Sequence, residues 1–249
     1  MLEFKCDESY NTRTLVVAGW ITGEGKWEEM ERRWRRRLRE ENDSLPPDKQ
    51  ISRYHASDCA SLQGEFAGWT QERQLNFVRD LLGIIIQCDP VAVACGVDLN
   101  AFFEVFDEND PKNNSPCYTL CIKQIMQEIG PPLQRQDEHI KIFHDHGSWD
   151  VDALLAYNSM VDDPAFLPRH HFHSITPLTW RDCIGLQAAD LIAFDCFKTT
   201  DAKLHGAKQP FTEADFRKSL KMLLGNDIDL HAPYFDRERL IQFRDSLAR

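Results

Sequence analysis

The chain contains no run of about eighteen apolar residues, and no basic segment followed by an apolar one opens it. These absences predict a protein without a membrane partner that is not exported and works in the cytoplasm. No Cys-x-x-Cys pair occurs, although there are eight cysteines, at 6, 59, 88, 95, 117, 121, 183 and 196. Scattered in this way, they read as reduced, buried thiols rather than a disulfide framework or a zinc ribbon. Cys117 and Cys121 are spaced to share a helical face, but two ligands do not make a zinc site. Positive charge is also in short supply: 29 Lys and Arg against 40 Asp and Glu leave a net charge of −11. That balance excludes a protein gripping nucleic acid over its whole surface. It still admits a nuclease whose substrate contacts are confined to one basic stripe. Internal repeats, low-complexity linkers and a glycine-rich phosphate loop are all missing.

What is present is a globular composition, with 42% apolar residues in 249. The length predicts one domain over 1–249, with a core of about 1–198 and a C-terminal helical extension over 199–249. The most informative stretch is 182–197. Asp182 reads as an N-cap, and from Ile184 to Phe197 nearly every residue is apolar, the mark of a helix buried on most sides. Gln187 and Asp190 interrupt that run three residues apart, on neighbouring parts of one face. A buried carboxylate needs compensation from an arginine, a hydrogen-bond network or a metal ion. Taken alone, a satisfied structural aspartate explains it as well.

Read in order, Leu2 to Asp7 alternates with period two and predicts a strand ending in a turn from Asp7. Thr14 to Ile21 is a second, β-branched-rich strand, forming a hairpin with the first. Asp7 and Glu8 then sit at the carboxyl end of strand one, where a polar turn is the bland alternative. Glu24 to Asn42 is a charged helix in which Arg32, Arg33 and Arg36 suggest a phosphate-contacting stripe. Glutamates spaced four residues from these arginines support an internally paired helix equally well. His55 and Asp58 follow a Pro46-Pro47 loop and are within reach of a cleft. Further elements are a helix over 70–87, an interior strand over 90–99, an exposed excursion over 100–115 with an acidic turn, and a helix over 116–129 ended by Gly130-Pro-Pro132.

Strand four, 139–147, ends in His144-Asp145-His146, with the two histidines on one side and Asp145 on the other. It runs into a helix over 150–161, a parallel β–α unit of the kind that collects ligands at strand carboxyl ends. Strand five is expected over 172–175, beside the histidines of Arg169-His-His-Phe-His173. A loop over 199–207 and short helices from Phe211 and Asp236 complete the chain.

Asp7, Asp145 and Asp190 can therefore converge, flanked by Glu8 and Gln187. Oxygen ligands from dispersed segments suit Mg²⁺ or Mn²⁺ rather than Zn²⁺. Two such ions about 3.5–4 Å apart would clamp the attacking and leaving oxygens of a phosphodiester.

Asp7-Glu8-Ser9 followed by the strand 15–21, with Leu186-Gln187-Ala-Ala-Asp190 near the C-terminus, resembles the domain-of-unknown-function-3800 family of bacterial proteins. The resemblance covers about 2–197. It implies an α/β, ribonuclease H-like fold: a mixed five-stranded sheet, helices on both faces, and extra helices between strands and at the C-terminus. It also implies a metal-dependent nuclease-like site with Asp7 as the first-strand carboxylate, Asp190 as the late-helix one, and Glu8 and Gln187 beside them. Asp145 is placed by the logic of the fold rather than by a motif. Tyr10 stands where the family has glycine, and two helices lie where the simplest topology has a hairpin.

The leading expectation is a Mg²⁺- or Mn²⁺-dependent phosphodiester hydrolase acting on nucleic acid. Asp7, Asp145 and Asp190 would be metal ligands, Glu8 a further ligand or base, and His144, His146 and His55 supporting groups. The alternative is a non-catalytic module of the same fold that binds nucleic acid or a partner protein. A zinc hydrolase built on His144–His146 and His170–His173 ranks last.

Overall fold

The computed structural model describes residues 1–107, 114–206 and 216–247. The chain is α/β. Its mixed seven-stranded sheet has the order β5-β4-β1-β2-β3-β6, with β7 also paired to β3. The strands are β1 (Leu2–Tyr10), β2 (Thr14–Gly23), β3 (Val91–Asp98), β4 (Ile140–Asp145), β5 (Phe172–Leu178), β6 (Leu230–His231) and β7 (Tyr234–Phe235). β1, β2 and β3 form an antiparallel meander, while β4 and β5 run parallel to β1 on its other side.

β2 is buried along nine of its ten residues because both of its faces are covered. Leu15 and Val17 face one apolar cluster, and Val16, Ala18 and Trp20 face the other. The first cluster receives α4 (Leu99–Phe106), α5 (Ser115–Gln136), α6 (Asp150–Val161) and α9 (Arg237–Leu247). The second receives α1 (Glu24–Asp43), α2 (Ala56–Ser61), α3 (Gln71–Gln87), α7 (Gly185–His205) and α8 (Lys218–Leu224). β1 and β2 pair Cys6 with Gly19, where a Cβ on residue 19 would lie 2.1 Å from the Lys5 carbonyl oxygen. Only glycine admits that approach. Among the described residues, no helix is long and apolar enough to cross a membrane. All eight cysteines are buried, and none is in a disulfide.

Several expectations need correction. The sheet has seven strands rather than five, because β6 and β7 join the edge of β3 in parallel. Two-residue pairings are made by backbone groups and carry no side-chain pattern, so the C-terminal part is not purely helical. β1 continues through Glu8 and Ser9 to Tyr10, and the turn begins at Asn11, whose side chain accepts from the amides of Arg13 (2.7 Å) and Thr14 (2.8 Å). Asp7 therefore lies inside a strand. The predicted excursion after β3 starts as α4, because the Asp98 side chain caps it by accepting from the Ala101 amide at 3.0 Å. Most of the acidic turn, residues 108–113, lies outside the described residues, as does 211–215 of the helix expected from Phe211.

α5 does not stop at Gly130 but runs through Pro131 and Pro132 to Gln136. The φ of proline suits a helix, and the bonds it forfeits fall on carbonyls of the solvent-accessible Gln127 and Glu128. The late helix α7 begins at Gly185 rather than after an Asp182 cap. Asp182 instead accepts from the Thr179 hydroxyl at 2.6 Å, and the Gly185 amide donates to Glu31 at 3.3 Å. α7 also extends through the expected loop to His205, because Asp201 is tied to the β1–β2 turn. Its carboxylate accepts from Asn11 (3.1 Å), Thr14 (2.9 Å) and Arg13 (3.0 Å).

Candidate active site: a carboxylate cleft at the end of the sheet

Phe4 and Cys6 face the first cluster, so alternation turns Lys5 and Asp7 toward the face covered by α7. β4 lies parallel to β1 with Cys6 opposite His144. One step further along, Asp145 comes beside Asp7 on the same face. α7 packs across β1 and β2 on this face, and its Asp190 enters the same cleft. The insertion between β2 and β3 supplies a wall: the segment before α2 brings Arg53, Tyr54 and His55 to the same place. The result is a cleft of about 520 Å³ lined by all four expected carboxylates, Asp7, Glu8, Asp145 and Asp190. Gln187 and His55 line it as well.

Each carboxylate is held in an environment hostile to its charge. Burial pushes the Asp7 carboxyl well up, and Asp190, Glu8 and Asp145 add repulsion, against one stabilising hydrogen bond from the Glu8 amide at 2.8 Å. Glu8 is raised to about 7, first by burial and then by Asp145. Its Oε2 is shielded from solvent and has no hydrogen-bond partner among the described residues. Asp190 is raised to about 6 by burial, although it accepts from the Ala56 amide at 2.7 Å and has His55 and Arg53 nearby. Asp145 is raised by burial in spite of Arg53. Desolvation and mutual repulsion act together here, and a cation would relieve both.

The carboxylates nevertheless stand apart: no three of them bring oxygens within 4.8 Å of one another. The donor set is all oxygen, which fits a hard cation.

Gln187 lines the cleft but is 2% exposed and works as a strut. Its Oε1 accepts from the Trp34 indole at 3.1 Å and from the Tyr54 amide at 2.9 Å, fixing the wall to α1 and α7. Gln187→Leu would strand two buried donors, and a loss of about 2 kcal/mol in urea unfolding is expected. An unchanged midpoint would mean that the strut carries no load. His55 sits before α2 with Nδ1 2.8 Å from Asp58, so its ring is oriented by a neighbour while it borders the cleft.

The other expected residues lie elsewhere. His144 is 1% exposed, faces the first cluster beside Cys6, and has Nδ1 3.0 Å from the Asp145 carbonyl oxygen. His146 points outward to Asp150 at 2.6 Å. Neither lines the cleft, because alternation along β4 turns both away from Asp145. Arg32 and Arg33 are paired with Glu29, and Arg36 is 3.5 Å from Glu40. The glutamate pairing on α1 accounts for these arginines, and none of the three reaches the cleft.

The cations at the cleft are Arg53 and Lys198, which the sequence reading missed. Beside them stands Trp180, with the guanidinium groups of Arg53 (5.1 Å to the ring centroid) and Arg181 (4.3 Å) close to its ring. Arg53 lies in a loop with no periodicity, so the one available signal was its closeness to Tyr54-His55. Another miss is Asp195 on α7, which is 3% exposed and paired at 2.6 Å with Arg217. No protein-family model matches the chain, and no curated protein is significantly similar to it.

Proposed function

We propose that the chain is a divalent-metal-dependent phosphodiester hydrolase acting on nucleic acid, built on a ribonuclease H-like fold as its resemblance to the domain-of-unknown-function-3800 family implies. The observation that carries this reading is the meeting of Asp7, Glu8, Asp145 and Asp190 from three separate segments in one cleft, each with its carboxyl pushed up. A β1–β2–β3 meander continued by parallel β4 and β5, with helices on both faces, supports the fold assignment.

In this reading Asp7, Asp145 and Asp190 would hold Mg²⁺ or Mn²⁺. Such an ion supplies charge neutralisation at the phosphoryl oxygens and a more acidic attacking water. Glu8, next to Asp7 in the chain and lining the same cleft, would serve as a further ligand or as the general base. Arg53 and Lys198 at the rim hold the phosphates. The basic contacts are local, which reconciles a nucleic-acid substrate with a net charge of −11.

The wide spacing of the carboxylates favours a second reading, a non-catalytic module of this fold that binds nucleic acid or a protein. Incubation with bis(p-nitrophenyl) phosphate and with labelled single- and double-stranded DNA and RNA, with Mn²⁺, Mg²⁺ or chelator, separates the two. Cleavage that requires the ion and stops with chelator is expected. Oligonucleotide binding without cleavage under any of these ions leaves the second reading.

A further inference from the structure

The opposite end of β4 carries a different set of ligands. β4 spans six residues from Ile140 to Asp145, so its start lies roughly 20 Å from the carboxylate cleft. Three segments meet there: the end of α5, the residue before β4, and the 3-10 turn Leu167–His171 leading into β5. They bring together Asp137, His139 and His171, whose ligand atoms all lie within 4.8 Å of one another. No other group of three His, Cys, Asp or Glu among the described residues is drawn this close.

Two details argue for a ligand rather than a chance meeting of polar side chains. His171 has Nδ1 2.9 Å from the Glu138 carbonyl oxygen. A carbonyl can only accept, so Nδ1 carries a proton and Nε2 is the atom left to meet a ligand. A backbone carbonyl fixing the tautomer of a histidine is the usual support behind a metal-bound imidazole. His139 has Nδ1 shielded from solvent with no hydrogen-bond partner, leaving a buried polar atom unsatisfied. Its ring stacks at 5.1 Å, tilted, on that of His171 and at 5.0 Å, edge-on, against that of His173.

We propose that Asp137, His139 and His171 form a Zn²⁺ site joining the end of α5 to the starts of β4 and β5. Two imidazoles and one carboxylate are a familiar zinc donor set, and nitrogen ligands prefer Zn²⁺ to the Mg²⁺ or Mn²⁺ that suits the cleft. The fourth position is left to water or to His173, which is exposed beside His139. Asp137 takes a left-handed conformation at φ 53° where α5 ends, and this brings its carboxylate beside the two rings. The site differs from the zinc arrangement expected from sequence: it uses neither His144, His146 nor His170.

The test is calorimetric titration of chelator-treated full chain with zinc chloride, in an Asp190→Asn background so that the cleft does not contribute. One equivalent of Zn²⁺ should bind, His139→Ala and His171→Ala should each weaken it at least tenfold, and the exposed neighbour His170→Ala should leave it unchanged. Co²⁺ in place of Zn²⁺ should give the visible absorption of a four-coordinate site, lost in the same two variants. Circular dichroism identifies any variant that fails to fold, and His171→Ala, at a partly exposed position, carries the test if His139→Ala does. Absence of stoichiometric binding, or binding equally strong in His171→Ala, overturns the proposal. Because the readout does not involve hydrolysis, an inactive cleft does not affect it.

Discussion

Asp7→Asn is expected to abolish Mn²⁺-dependent phosphodiester cleavage while leaving the chain folded. The side chain stands inside β1, beside Asp145 on β4 and below Asp190 on α7, where it lines the cleft. A carboxylate in direct contact with the ion contributes charge that the amide cannot replace. The loss in kcat/KM should be on the order of a thousandfold, equivalent to about 4 kcal/mol of transition-state stabilisation. Folding should not suffer, because the asparagine carbonyl can still accept from the Glu8 amide. Replacing the carboxylate also removes the repulsion from Asp190, Glu8 and Asp145 that raises the Asp7 carboxyl. The metal-free variant should therefore melt at the same temperature as the parent chain or higher, and Mn²⁺ should no longer raise it. Full cleavage by Asp7→Asn, or an undiminished Mn²⁺ shift, would remove Asp7 from the metal site and with it the strongest motif-based assignment.

The metal-free chain should lose stability as pH rises from about 4 to about 7, and Mn²⁺ should reverse that loss. Glu8 and Asp190 have folded-state values near 7 and 6, against ordinary values of 4.5 and 3.8. Between those limits the folded chain holds more protons than the unfolded one, so stability falls as pH increases. The contribution is complete below about pH 4 and gone above about pH 7. Because the groups act on one another, their effects do not simply add, and a total on the order of a few kcal/mol is expected. An ion in the cleft stabilises the ionised carboxylates, and a hundredfold excess over Kd adds roughly 2.7 kcal/mol. Urea titrations at several pH values, with chelator and with Mn²⁺, measure both limbs. Glu8→Gln should flatten the metal-free slope. A slope of opposite sign, or one that Glu8→Gln leaves intact, would mean that these carboxylates are not the groups that bury their protons on folding.

Much of this arrangement is legible in the chain. Apolar runs and periodicity place β2, α1, α3, β3 and β4, and α6, expected from the Gly147 and Ser148-x-Asp150 that follow strand four, has both ends where the sequence reading puts them. Asp7, Glu8, Asp145 and Asp190 were named from strand ends and from one polar face in an apolar helix, and they do line a common cleft. The misses share a physical cause. Where α7 ends depends on Asp201 finding Asn11, Arg13 and Thr14 across the fold, and no local pattern records such a partner. The same holds for β6 and β7, whose pairing is a backbone matter.

Taken by itself, the sequence determined the α/β class, the nearly continuous apolar run of β2, and the identity of the carboxylates, because hydrophobicity and charge are local properties of side chains. Tertiary structure alone decided which cations stand at the cleft. The arginines conspicuous in the sequence are occupied by their own helix, and Arg53 and Lys198 arrive from a loop and from within α7. It also decided that Asp137, His139 and His171 meet. Two of the three are close neighbours in sequence, but the third is brought in by the parallel pairing of β5 on β4. Proximity across a sheet is set by strand order and register, and those are fixed by packing over the whole chain.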